Sequence, residues 1–91
     1  ILSLGYFTVN IDSVKNNKLM TKVTVEMQED VIDMVMSNQA VIRDDVINSI
    51  SNLESSDVNP TNISRYIKNS LNTRMQKDVV KGVYLEEFVI Q

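Results

Sequence analysis

The chain has 91 residues, and among them there is no cysteine and no histidine. These two absences exclude a disulfide scaffold, a thiol nucleophile, a Ser-His-Asp triad, a zinc finger and an imidazole base. Glycine occurs twice and proline once, which excludes collagen-like and low-complexity chains. Any catalysis would therefore depend on carboxylates, lysines, hydroxyls and tyrosines.

Charge and hydrophobicity are those of an ordinary globular domain, with 43% hydrophobic residues. Twelve acids and nine bases give a net charge of −3, so the chain is not built as a general binder of nucleic-acid phosphates. No apolar run approaches the roughly 20 residues that a membrane span requires. The chain begins at Ile1 rather than at methionine, and we expect a single domain, residues 1–91, cut from a longer protein.

Two segments near the N-terminus have the composition and alternation of β-strands. Residues 2–11 are rich in β-branched and aromatic side chains, and in residues 19–27 apolar and polar positions alternate. The turn residues between the two segments are Asp12, Ser13, Asn16 and Asn17. This spacing predicts a hairpin whose loop is longer than two residues.

The alternation also predicts which side chains share a face of each strand. In the first strand it places Leu4 with Tyr6 on one face and Phe7 with Val9 on the other. In the second strand the apolar face is predicted to consist of Leu19, Thr21, Val23, Val25 and Met27.

Residues 30–53 have the period of a long amphipathic helix. At about 100° per residue, six aliphatic side chains fall within one arc roughly 100° wide. These six are Val31, Val35, Ile42, Val46, Ile50 and Leu53. A kink is expected near Asn38–Gln39. Met36 and Ile47 lie at the edge of the arc beside Arg43, where the pattern favours the margin of the core over a partner surface.

A second helix and a final strand complete the predicted fold. Asn59 and Pro60 are typical of a helix start. The apolar stripe that follows consists of Ile63, Tyr66, Ile67, Leu71 and Met75. Residues 80–90 then read as a strand in which Tyr84, Phe88 and Ile90 share one face, and Phe88 and Ile90 are expected to be buried. The order β-β-α-α-β predicts an α+β fold, a three-stranded sheet in the order 2-1-3 with both helices on one face, in which the last strand pairs with the first.

Adjacent acids are the strongest candidates for chemistry, and they occur as Glu29–Asp30, Asp44–Asp45 and Glu86–Glu87. Neighbouring residues do not face each other on a helix and point to opposite faces of a strand, so none of these pairs is a ready catalytic dyad. The first pair together with Asp33 lacks the glycine and the regular oxygen spacing of a calcium loop. The sequence therefore predicts no catalytic, cofactor-binding or metal-binding residue, and a scaffold or interaction role is the default.

The C-terminal residues are similar to a known family signature. Val83–Gln91, VYLEEFVIQ, resembles the end of FliL, the flagellar basal-body-associated family, whose chains close on Phe-Val-Ile-Gln. Phe7–Ile11 resembles the first strand of that family, and Ala40–Asp44 resembles its Ile-Arg-Asp segment in the long helix. In two departures, Gln39–Ala40 stands where the family often has a proline and Leu85 where it often has Phe. The residues that carry the match are Asn10, Ile42, Arg43, Asp44, Tyr84, Phe88, Val89, Ile90 and Gln91.

This resemblance implies a fold and a cellular role that the residues alone do not predict. FliL-like proteins are single-pass inner-membrane proteins whose small periplasmic domain resembles the stomatin/prohibitin/flotillin (SPFH) fold. They associate with the MotA/MotB-type stator units of the flagellar motor, form rings around the stator, and support torque under load, motility, chemotaxis and swarming. The chain is then expected to be that periplasmic domain, non-enzymatic and without a cofactor, preceded by a membrane helix.

The distribution of charge bears on self-association. Residues 26–57 hold eight acids and one base, whereas residues 58–82 hold five bases and one acid. Either the helices neutralise each other within one chain, or copies pack head to tail into a ring. The residues expected at such an interface are Met36, Arg43, Asp44, Asp45, Ile47, Arg65 and Lys68. The alternative function is a small envelope module that binds a ligand or ion, and a carboxylate hydrolase is a third.

Overall fold

The computed structural model describes residues 1–11, 15–51 and 53–91 of the chain. The described part has an α+β fold in which helices cover one face of a three-stranded antiparallel sheet. Its elements are β1 (Leu2–Ile11), β2 (Asn17–Met27), α1 (Glu29–Ser37), α2 (Gln39–Ile50), a 3-10 turn (Ser55–Asp57), α3 (Pro60–Met75) and β3 (Val80–Ile90). The turn residues predicted at Asp12 and Ser13 lie outside the described residues. Asn16 adopts the left-handed conformation, with φ of 56°, just before β2.

The strands are arranged in the order β1-β2-β3, so the predicted order 2-1-3 is wrong. β3 runs antiparallel to β2, from the pair Met27–Val80 to the pair Leu19–Ile90. The helices leave the end of β2 and return to that same end, where the amide of Gln28 donates to the carbonyl of Val79 at 3.2 Å. A strand that starts there can run straight back along β2, whereas pairing with β1 in the predicted order requires a crossover to the opposite end of the sheet.

A single side chain on α3, that of Asn72, holds the start of β3 in place. Its Oδ1 accepts hydrogen bonds from the backbone amides of Val79 at 3.0 Å and Val80 at 2.9 Å. Its Nδ2 donates to Asp78 Oδ1 at 3.1 Å. These bonds lie where the chain enters β3, and the Val79 amide also donates to the carbonyl of Lys77 at 3.0 Å. Asn72 therefore contributes to the strand order that the sequence pattern did not predict.

The long predicted helix is present as two helices, α1 and α2, which are separated at Asn38. This break confirms the kink expected near Asn38–Gln39, and the Asn38 side chain donates from Nδ2 to the carbonyl of Met34 at 2.8 Å. The start of α3 is also as predicted. Asn59 is the N-cap, its Oδ1 accepts from the amide of Asn62 at 2.9 Å, and Pro60 is the first helical residue.

The central strand β2 contributes the predicted apolar face, and all of its five inward residues are buried. The buried residues of the helices pack on that face. They are Val31 and Val35 on α1, Ile42, Val46 and Ile50 on α2, and Ile63, Ile67 and Leu71 on α3. Leu53, Tyr66 and Met75 are partly buried against the same core. The periodicity of the sequence thus predicted most of the core.

A β-bulge in β1 changes the predicted faces of that strand. Leu4 is the extra residue between the pairs Ser3–Thr24 and Gly5–Val23, and Gly5 has φ of +82°. The extra residue shifts the alternation by one, so Leu4 is buried on the same side as Phe7. The prediction that Leu4 shares a face with the exposed Tyr6 is therefore wrong.

A second bulge, in β3, has the same effect near the C-terminus. It lies opposite Thr21, and Glu87 has φ of +54°. Phe88 is half-buried against the core, whereas Tyr84 is exposed on the other side, so the predicted face shared by these two residues is wrong. Ile90 remains 44% exposed although we expected it to be buried.

Candidate functional site

The residues predicted to form a partner interface are spread over all three helices. Met36 lies at the end of α1, and its 51% exposure contradicts the expectation that it belongs to the margin of the core. Ile47 on α2 is half-buried and packs on the core, which confirms the same expectation for that residue. Asp44 and Arg65 are exposed, and Lys68 is half-buried. The set therefore contains both surface groups and residues with a structural role.

Arg43 has a structural role, because its guanidinium binds the bulge of β1. Nη1 donates to the carbonyl of Leu4, and Nη2 donates to the carbonyl of Tyr6 at 2.8 Å. The guanidinium carbon also lies 4.0 Å from the centroid of the Phe7 ring, a cation–π contact. Among the described residues Arg43 has no ion pair, and its guanidinium is held by these contacts instead.

Asp45 is the second predicted interface residue that acts within the chain. Its carboxylate receives two hydrogen bonds from Arg74 on α3, Nε to Oδ2 at 2.6 Å and Nη2 to Oδ1 at 2.9 Å. These hydrogen bonds lower the pKa of Asp45, although its partial burial opposes the shift, and they raise the pKa of Arg74. The pair joins α2 to α3, so charge neutralisation within one chain is confirmed at this position.

The remaining predicted groups are free to meet a partner. Asp44 and Lys68 have no ion pair in the part of the chain that the structure describes. Arg65 donates from Nη2 to Asn62 Oδ1 at 3.0 Å, and its guanidinium lies 5.6 Å from the centroid of the Tyr66 ring. These local contacts leave the Arg65 charge at the surface.

The sheet face away from the helices carries polar pairs that sequence reasoning did not single out. Tyr84 Oη donates to Glu26 Oε1 at 2.9 Å across neighbouring strands. The Glu87 carboxylate on β3 acts on the Tyr6 hydroxyl on β1, and the Lys22 ammonium on β2 lies 5.9 Å from the centroid of the Tyr6 ring. In both tyrosines the acceptor carboxylate favours the neutral phenol and raises the pKa. The available signal was the polar face that alternation assigns to β2, which includes Lys22 and Glu26.

Two depressions lie on the helical side. The larger one, about 500 Å³, runs between α2 and α3 over the pair Asp45–Arg74, and the residues that line it carry polar groups. The smaller one, about 360 Å³, lies where the break between α1 and α2 meets the end of α3. Its lining is Met34, Val35, Asn38, Val41, Ile42, Arg74, Met75 and Gln76, and we call it the methionine groove.

Within the described residues there is no group of three or more acids that could hold a metal ion. The acids Glu29, Asp30 and Asp33 are all exposed on α1 and do not form such a group. None of the described helices is both long enough and apolar enough to span a membrane.

Comparison with known families shows to which family this domain belongs. A family model described as flagellar basal body-associated protein FliL matches residues 1–91. The chain therefore belongs to the FliL family, and the resemblance drawn from its sequence motifs is confirmed. No curated protein matches the chain at a significant level.

The family-motif residues at the C-terminus lie in β3 and just beyond it. Gln91 exchanges two backbone hydrogen bonds with Lys18, at 2.7 and 2.9 Å, so the end of the chain is tied to the start of β2. Ile42 is buried in the core, and Arg43 binds β1 as described above. Asn10, Tyr84 and Val89 are exposed. The motif thus combines packing residues with residues on the open face of the sheet.

Proposed function

We propose that the chain is a non-enzymatic accessory component of the flagellar motor that acts on the stator. In this proposal it is the periplasmic, SPFH-like domain of a single-pass inner-membrane protein and surrounds a MotA/MotB-type stator complex as a ring. It supports torque under load, motility, chemotaxis and swarming. The observation that carries the proposal is the family match over residues 1–91. The association with the basal body follows from that family, and the stator, the ring and the membrane anchor are inferred from the resemblance.

The exposed interface residues support self-association as the means of ring formation. Because Arg43 and Asp45 are bound within the chain, the groups that remain for a contact between copies are Met36, Asp44, Arg65 and Lys68. Exposed ion pairs contribute only about 0–1 kcal/mol each, so charge orients the copies more than it binds them. We therefore expect weak association of the free domain and assembly when it is concentrated at a membrane.

The motor function is tested by deleting the gene in its host and restoring it. Swimming in viscous medium, swarming, and the rotation of tethered beads of increasing size measure torque under load. The deletion is expected to slow rotation most at high load, because the proposed role is support of the stator. Normal torque at every load in the deletion strain would contradict the proposal.

The assembly is tested by reversing charges. Arg65→Glu with Lys68→Glu is expected to reduce cross-linked oligomers in membranes while the domain keeps its melting temperature. Lys18→Glu with Lys81→Glu, two exposed bases in the sheet, is the matched control and should leave the oligomers unchanged. Adding Asp44→Lys to the first pair should partly restore assembly if those surfaces meet. Unchanged oligomers in the Arg65 and Lys68 variant would exclude this interface.

A further inference from the structure

The helices α1 and α2 carry acids that lack partners. Glu29, Asp30, Asp33 and Asp44 have no ion pair among the described residues. The one base of these two helices, Arg43, is turned toward the carbonyls of β1 and does not offset them at the surface. This side of the domain is therefore anionic, although the chain as a whole carries only −3.

The methionine groove opens beside these acids. Met34 and Val41, from the two helices on either side of the break, are 50% and 43% exposed. Asp30 precedes Met34 by four residues on α1, so the two side chains are neighbours on one helical face. Arg74 also lines the groove, but Asp45 already binds its guanidinium. The lining of the groove holds no acid, and its acidic rim is formed beside it by exposed acids of α1, of which Asp30 is one helical turn from Met34.

The exposed apolar residues of the groove differ from the exposed tyrosines of the sheet. Carboxylates act on the hydroxyls of Tyr6 and Tyr84, so these exposed rings already have polar partners within the chain. The exposed surface of the Met34 and Val41 side chains is apolar, and the partly buried Met75 lines the same groove. Methionines are flexible and fit irregular partners, and apolar surface next to a depression marks interaction sites.

The most basic segment of a second copy does not supply the complementary surface. That segment, residues 58–82, includes α3, and the apolar stripe of α3 is already buried in its own core at Ile63, Ile67 and Leu71. The bases of that helix can approach an acidic rim, but no apolar side chain accompanies them to fill the groove. A partner must offer both.

We propose that the methionine groove binds a basic amphipathic helix of a partner protein. An apolar side chain of that helix enters between Met34, Val41 and Met75, and its lysines or arginines approach Asp30 and Asp33. Helices that bind in grooves do so through apolar anchors at helical spacing, and basic residues complement the rim. This site adds a binding partner to the accessory role proposed above. It depends on that role only for the place in which the partner protein is found.

The test uses the 91-residue chain and two synthetic peptides. Each peptide has about 18 residues, the length of roughly five helical turns, with leucines at i, i+3, i+4 and i+7; the other positions are lysine and glutamine in one and glutamate and glutamine in the other. Fluorescence anisotropy measures their affinity, and circular dichroism measures the helix formed on binding. The lysine peptide is expected to bind and become helical, and the glutamate peptide is not.

Matched double variants locate the site. Met34→Gln with Val41→Thr removes apolar surface in the groove at nearly constant size, and we expect the lysine peptide to bind about tenfold more weakly. Met20→Gln with Val89→Thr makes the same change on the open sheet face, where these two exposed residues are cross-strand partners, and binding should change less than about twofold. Asp30→Asn with Asp33→Asn should weaken binding and reduce its salt dependence.

Several outcomes would overturn the proposal. Equal loss in the groove and sheet variants would mean non-specific attraction to an acidic protein, and so would equal binding of both peptides. Loss of self-association in the groove variant, measured by sedimentation without peptide, would assign the groove to a second copy. The peptide assay does not depend on the motor, so failure of the accessory role in the deletion strain and failure of the groove are separate results.

Discussion

The two edge strands of the sheet carry the same interruption but lie in different surroundings. Each contains a leucine and a phenylalanine three positions apart, in Leu4–Phe7 and in Leu85–Phe88, with a left-handed residue between them. That residue is Gly5 in β1, with φ of +82°, and Glu87 in β3, with φ of +54°. The apolar pair of β1 is buried, whereas the pair of β3 is only half-buried.

The difference lies in which layer holds the bulge. The helical layer reaches β1 through Arg43, which binds carbonyls on both sides of Gly5. The bulge of β3 is held from within the sheet, where the buried Thr21 donates from Oγ1 to the carbonyl of Glu86 at 3.0 Å. The bulge of β1 is therefore fixed to the helices and the bulge of β3 to its neighbouring strand, although Asn72 on α3 holds the start of β3. We expect β1 to be the more stable of the two at its bulge.

The largest expected effect compares the two phenylalanines. Phe7→Ala should lower the free energy of unfolding by about 3–5 kcal/mol, as large-to-small changes in a core do. Phe88→Ala should cost about half as much, since its ring is only partly buried and less of a cavity forms. Urea unfolding of both variants measures the difference. Equal losses would mean that the two edges are equally important to the core.

The second effect concerns the guanidinium that binds β1. Arg43→Ala removes two hydrogen bonds to carbonyls and a ring contact, and should cost about 2–3 kcal/mol. Arg43→Lys should recover only part of this loss, because an ammonium cannot reproduce the planar fork. Arg65→Ala is the control on an exposed arginine and should change stability by less than about 0.5 kcal/mol. Thermal unfolding of the three variants decides whether Arg43 is structural.

The third effect compares substitutions at the two residues with positive φ, Gly5 and Glu87. Gly5→Ala should cost about 1–2 kcal/mol, because a side chain is unfavourable at positive φ. Glu87→Gly relieves the same strain but makes the unfolded chain more flexible, so we expect a change within about 0.5 kcal/mol. Guanidinium unfolding of both variants gives the comparison. If Glu87→Gly lowers the free energy of unfolding as much as Gly5→Ala does, then backbone strain at Glu87 does not limit the stability of β3.

The smallest effect concerns the interaction between Glu87 on β3 and Tyr6 on β1. The Glu87 carboxylate raises the pKa of Tyr6 in the folded protein, which favours the neutral phenol. The contribution of this interaction is fully present below the unfolded-state pKa of about 10 and is lost as pH rises through the folded-state value. Glu87→Gln should lower the pKa of Tyr6, read by tyrosinate absorbance in variants that lack the other two tyrosines. Glu26→Gln, which acts on Tyr84, is the control and should not change it.

The sequence predicted several residues of the candidate site, but it did not predict what each of them contacts. Arg43, Asp44 and Asp45 were all predicted at an interface because they lie together on one helix. Only Asp44 remains at the surface, since Arg43 binds β1 and Asp45 binds Arg74. Consecutive residues point in directions about 100° apart on a helix, so three neighbours meet three different environments. The sequence shows their spacing but not what lies opposite each of them.

The sequence by itself determined the elements of this protein, because periodicity and capping are local properties. The alternation of β2, the arc of α1 and α2, and the cap at Asn59 depend on residues within a few positions of one another. The tertiary structure alone decided the strand order, the faces of β1 and β3, and the groove. These features depend on where the helical segment returns, which Asn72 and the end of β2 set, and on two bulges that shift the alternation by one residue. Contacts between distant residues bring these features about, and no local pattern encodes them.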